Sequence, residues 1–167
     1  MDARVFTTER IAKITRLPEW RVVRFAQDPK FGITPAFGAA AGPGSRRLYN
    51  LENLCQMALA SWLLQAGLRV EVIGRVLKQV LKQGDLKHRL KQPPEKAKDV
   101  YLGVIRTPKG KTAEQEAFFI QSWEQLQTIF RRDWETSVLV VPIGMRFVVL
   151  GNVLDELAKM DQKEKGV

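Results

Sequence analysis

The sequence predicts an α+β chain in two parts: a mostly helical N-terminal domain over residues 1–91 and a small α+β domain over 99–167, joined by a linker at 92–98. Three observations lead there. Helical periodicity runs from residue 7 to about 83, broken by one glycine-rich stretch. Apolar runs of strand length begin only at Val100. Between them Gln92-Pro93-Pro94-Glu95-Lys96 cannot be a regular helix interior and reads as a connector.

Each element has a local reason. Thr7 or Thr8 can N-cap a first helix that carries Ile11, Ala12 and Ile14 on one side. Pro18 fits the first turn of a second, where its missing N–H costs nothing. That helix, Glu19 to Gln27, sets Val22, Phe25 and Ala26 on one face and Trp20, Arg21 and Arg24 largely on the other. Asp28-Pro29-Lys30-Phe31-Gly32 stops it. The stretch from Phe37 to Tyr49, with three glycines and a proline before Ser45-Arg46-Arg47-Leu48-Tyr49, reads as a hairpin with a flexible tip, a wing. Asn50 is a good N-cap for a third helix, which buries Leu51, Leu54, Cys55, Ala58, Leu59, Trp62, Leu63 and Ala66 and ends at Gly67. A fourth helix from about Val70 carries Ile73, Leu77, Val80 and Leu81 as far as Gly84.

Beyond the connector, Val100 to Ile105 is a strand, Thr107 to Thr112 a polar turn and Ala117 to Ile120 a second strand. Ser122 with Gln125 forms a capping box for a helix through Trp123, Leu126, Ile129 and Phe130. Val138 to Ile143 is apolar on both faces and is expected at the centre of the sheet. A last helix from about Met145 presents Phe147, Val148, Leu150, Leu154, Leu157 and Ala158, and is the candidate dimer surface.

Composition narrows the class of function. With 45% hydrophobic and 27% charged residues in 167, the chain has ordinary globular values. No apolar run reaches the roughly 18 residues needed to cross a bilayer. No apolar signal core follows Met1, and the single Cys55 excludes an internal disulfide or a multi-cysteine metal site; both suit the cytoplasm. The net charge of +9 is confined. Residues 1–92 hold 16 basic and 7 acidic side chains, whereas residues 93–167 hold 11 of each. Such asymmetry is the footprint of a part that meets a polyanion beside one that does not.

Two short helices, a glycine-bearing wing and two more helices are the layout of a winged helix-turn-helix. In that arrangement one helix fills the major groove, where base edges are distinguishable, and the wing grips the adjacent backbone. The residues also resemble a family. Phe6-Thr7 with Ile11-Ala12-Lys13 and Thr15, then Arg47-Leu48-Tyr49-Asn50 with Leu54, then Ala66-Gly67-Leu68 with Val70-Glu71 and Ile73, are similar to the DNA-binding domain of MerR-type transcriptional regulators over residues 6–83. The resemblance implies double-stranded DNA as partner, a homodimer on a palindromic operator, and promoter bending or untwisting that often activates RNA polymerase. It implies DNA contacts from Lys13, Trp20, Arg21 and Arg24, and from Arg46, Arg47 and Tyr49 at the wing. The chain departs from the family pattern in three places: Val23-Arg24-Phe25 or Arg24-Phe25-Ala26, depending on register, stands where Arg-Tyr-Tyr is usual, Asp28-Pro29-Lys30 looks like an insertion, and the wing is unusually rich in alanine and glycine.

Two other uses fit the same residues: a DNA-architectural, excisionase-like accessory protein, or a basic adaptor that binds an acidic protein. An enzyme is not expected, since no nucleophile–base set, phosphate loop or paired ligand motif occurs. No cofactor or metal is expected either, and no effector can be named. Cys55 reads as a small buried hydrophobe and His88 as a solvated side chain. Lys78, Lys82, Lys87 and Lys91 read as a solvated face, and Trp123, Phe130 and Trp134 as core of the second part.

Overall fold

The computed structural model describes residues 5–36, 47–83, 86–109, 112–120, 124–125, 127–128 and 137–164. Expectations about the wing tip with Arg46, the capping box at Ser122, and Trp123, Phe130 and Trp134 lie outside the described residues. The chain is α+β, mainly helical with two small sheets.

Strand β1 (Phe6–Thr7) leads into α1 (Thr8–Thr15), whose N-cap is Thr7: its hydroxyl accepts from the Arg10 N–H at 3.2 Å. Arg16 closes α1 in the left-handed region at φ 57°, and α2 (Glu19–Gln27) follows. Pro18 stands at its N-cap, one residue before the expected first-turn site, and its carbonyl accepts from the Arg21 and Val22 N–H groups. Asp28-Pro29-Lys30 is a turn. The Asp28 carboxylate accepts from the Lys30 N–H at 2.9 Å, and its carbonyl from the Phe31 N–H at 3.1 Å. This returns Phe31 onto Phe25, ring centroids 4.4 Å apart, both buried.

Strand β2 (Leu48–Tyr49) pairs antiparallel with β1, Phe6 opposite Tyr49 and Thr7 opposite Leu48. Its described partner is thus the start of the chain rather than the segment before the loop. Asn50 caps α3 (Leu51–Gln65) in a reciprocal box with Asn53, bonds of 2.9 and 3.2 Å. Helix α3 is buried almost all round, Cys55 included, and forms the axis of the core. It turns at Gly67 (φ 87°) into α4 (Val70–Lys82), where Gly74 lies so close to the Lys30 carbonyl that a Cβ would stand 2.9 Å from it.

A 3₁₀ helix (Leu86–Lys91) and a single turn α5 (Pro94–Ala97) follow. Both lie in or beside the expected linker. Pro94 starts a helical turn as proline can at a first position, and Ala97 is buried against the last helix. Strands β3 (Tyr101–Lys109), β4 (Thr112–Ile120) and β5 (Ser137–Pro142) form an antiparallel sheet in the order β4-β3-β5. The pairing of Lys109 with Thr112 extends both strands through the expected polar turn. Among the described strands β5 is an edge, contrary to its expected central place; β3 is the centre because it joins β4 on one side and β5 on the other. Pro108 is tolerated in this central strand because pairing with β5 has ended at Arg106.

The final helix α6 (Gly144–Glu164) gives Phe147, Val148, Leu150 and Leu154 to the chain's own core. Buried apolar side chains from both halves form one cluster, from Phe6 and Leu54 to Leu102 and Phe147. Arg10 on α1 reaches Asp161 on α6 at 2.7 Å, a partly exposed ion pair. No helix among the described residues is long and apolar enough to cross a membrane.

Candidate nucleic-acid interface

Helix α2 is held by one face and free on the other. Val22 and Phe25 are fully buried, and Arg21, Val23 and Ala26 flank them half-buried. Opposite them, Trp20, Arg24 and Gln27 are exposed at spacings i, i+4 and i+7, which puts them in one row along the helix. Trp20 is 57% exposed, too much for a packed aromatic to gain its burial energy. The Arg21 guanidinium lies 4.7 Å from the centre of the Trp20 ring, so its cation–π contact stiffens both side chains. Across α1, the turn and α2, residues 8–27 carry five basic side chains (Arg10, Lys13, Arg16, Arg21, Arg24) against two acidic ones (Glu9, Glu19).

A shallow hollow between α1 and α2 gathers Lys13 and Arg16 beside Glu9 and Glu19. Lys13 is not an unpaired cation. Its Nζ donates to Glu9 Oε1 at 2.7 Å, one turn back along an exposed helix face. The hydrogen bond and charge of Lys13 hold the Glu9 carboxyl below its usual value, and Glu9 holds the ammonium above its own.

The structure thus brings Trp20, Arg21 and Arg24 together on α2, with Lys13 one element away. Arg47 lies elsewhere, half-buried just before β2 at the base of the expected wing. Tyr49 is a correction: it is 0% exposed, enclosed in the core between β1 and α3, and cannot reach a phosphate. Its ring is spent on packing, and its hydroxyl has no hydrogen-bond partner among the described residues.

No protein-family model and no curated protein matches this chain. The site therefore rests on its own geometry. Two of its residues escaped the sequence reading. Gln27 completes the outward row, and the helical period counted from Trp20 and Arg24 would have found it. Arg16, exposed at the left-handed position between the helices, stands three residues after Lys13, a spacing that also places the two side by side. Among the described residues no group of three or more metal-ligating side chains occurs.

Proposed function

We propose that this chain is a sequence-specific, double-stranded-DNA-binding transcriptional regulator of the MerR type, acting as a homodimer on a palindromic operator. In this reading residues 1–91 are the winged helix-turn-helix, α2 is the recognition helix, and the C-terminal α+β part dimerises or receives a signal. The observation that carries it is the outward row Trp20–Arg24–Gln27 on a short helix anchored by its other face. An arginine can pair both acceptors of a guanine edge, a glutamine can pair adenine, and an exposed aromatic can lie against a thymine methyl or the sugar edge. The +9 excess of residues 1–92 supplies the attraction to phosphate that such docking needs.

Selection of bound sequences from a random duplex library tests the reading. An enriched inverted repeat supports recognition and two-fold symmetry together. Retention of all sequences alike supports the architectural alternative, and no retention at low salt favours a basic adaptor.

A further inference from the structure

A groove of about 410 Å³ lies where the end of α1, the end of α3 and the outer side of α6 meet, away from the outward row of α2. That volume falls within the range of small-molecule sites. One wall is Trp62, held edge-on to Phe147 with ring centroids 4.9 Å apart, so it is a fixed aromatic surface. The other is the solvent side of α6, where Val149 and Val153 remain 55% and 42% exposed. Apolar side chains left in water along a concave surface are a standing cost that a ligand removes.

The polar lining has one sign. Arg16 and Arg146 both belong to the groove, and no aspartate or glutamate lines it. Among the described residues neither arginine has a carboxylate partner. Arg146 makes only a long hydrogen bond to Gln65 at 3.4 Å and stands 5.9 Å from the Trp62 ring centre. The Gln65 amide adds a further polar group beside them.

We propose that this groove binds an amphipathic small-molecule anion: a flat apolar body against Trp62, Val149 and Val153, ending in a carboxylate between Arg16 and Arg146. Charge complementarity argues for an anion, and the apolar walls argue against a bare inorganic one. Arg16 is also the left-handed residue that sets α2 against α1, so occupancy reaches the turn before the recognition helix. That consequence rests on the DNA-binding reading; binding itself does not.

Isothermal titration of the full chain, without DNA, with 2-naphthoate, its neutral amide and the cationic 2-naphthylmethylammonium tests the site. The carboxylate should bind at least about tenfold tighter than either isostere, a preference the size of one retained charge-assisted contact. Arg146→Gln should bring it down to the amide, Arg146→Lys should restore part of the difference, and Val149→Glu should abolish binding. Equal binding of the three probes, no binding, or an unchanged carboxylate affinity in Arg146→Gln overturns the proposal. So does sedimentation equilibrium that shows a dimer broken by Val149→Glu while the wild type ignores naphthoate, because a second copy then fills the groove. Failure of the DNA selection leaves these outcomes untouched, so the two readings fail separately.

Discussion

The Gln83 side-chain amide at the end of α4 donates to the Ala117 carbonyl of β4 at 2.7 Å, and its oxygen accepts from the Phe119 N–H at 3.3 Å. One turn earlier, Gln79 accepts from the Ala117 N–H at 2.8 Å. Two glutamines therefore satisfy three backbone groups at the end of β4, which among the described strands lies at the edge of the sheet, where free backbone groups otherwise invite another chain. Bonds of this kind also tie the helical half of the molecule to its sheet.

Gln83→Ala should therefore do two things. It should destabilise the fold by roughly 0.5–1.5 kcal/mol, the net worth of an intramolecular hydrogen bond, since the bond to the Ala117 carbonyl is only part-buried and the one from the Phe119 N–H is exposed. It should also make the protein associate with rising concentration through β4. Urea unfolding and sedimentation velocity measure the two effects. A stability change within about 0.5 kcal/mol, typical of an inert surface site, would show that water replaces the amide at no cost.

Arg24→Ala should weaken binding to a selected operator by roughly 1–3 kcal/mol and relax preference at one base pair, as expected for a side chain that reads a base edge. Gln27→Ala should relax a different position, one helical turn along the groove. Arg47→Ala, just before β2, should instead weaken all sequences alike and lower the salt slope by roughly 0.9 if it neutralises one phosphate. Affinity of Arg24→Ala equal to the wild type at moderate salt would remove α2 from the interface.

Local rules made much of the helical half legible: Thr7 and Asn50 cap where their side-chain oxygens can meet the first free N–H groups, and Gly67 turns the chain at a positive φ. What escaped depends on partners distant in sequence. An apolar run marks β5 as packed on both sides but cannot say which strand lies beside it, so its edge position was invisible. The two prolines forbid a helix interior but allow the single turn that Pro94 opens, and only packing near the start of α6 shows that Ala97 is buried. Tyr49 failed for the same reason: a tyrosine beside two arginines looks like a phosphate ligand until its pairing register turns the ring inward.

Glu9→Gln should tighten DNA binding and steepen its salt dependence. The mutation replaces the carboxylate 2.7 Å from the Lys13 ammonium by a neutral amide oxygen, so Lys13 is no longer charge-compensated, can neutralise a phosphate and can raise the magnitude of the salt slope by roughly 0.9. The Glu9 carboxyl sits below its usual value and the Lys13 ammonium above its own. Both therefore stay charged between about pH 6 and 8, and the gain should be flat over that window. The pair is fully exposed, so thermal stability should hardly move. A salt slope identical to the wild type would place Lys13 outside the contact surface.

Tyr49→Phe separates a core tyrosine from a DNA ligand. The variant keeps the ring and deletes a buried hydroxyl that has no partner among the described residues. Relieving an unsatisfied polar group should raise stability by about 1 kcal/mol and leave DNA affinity unchanged. Chemical denaturation and a mobility shift on the selected operator measure both. Loss of affinity without loss of stability would restore Tyr49 to the interface.

Arg89 presents the opposite balance. It is 5% exposed, its guanidinium lies 3.7 Å from the centre of the Phe119 ring, and its Nε has no partner among the described residues. No carboxylate bridges to it among the described side chains, and burial pushes its guanidinium below the ordinary value. A base held below that value opposes folding at every pH beneath it, so removing the charge gains stability at neutral pH. The face of Phe119 returns part of the desolvation cost, about 2 kcal/mol for a desolvated cation–π contact. Arg89→Met keeps most of the volume and sheds the charge. It should be neutral or stabilising, whereas Arg89→Ala should lose roughly 2–5 kcal/mol to the cavity it leaves. Urea unfolding of both variants decides between charge and packing. If Arg89→Met falls as far as Arg89→Ala, the cation itself holds the sheet to the 3₁₀ helix, and the ring contact outweighs its desolvation.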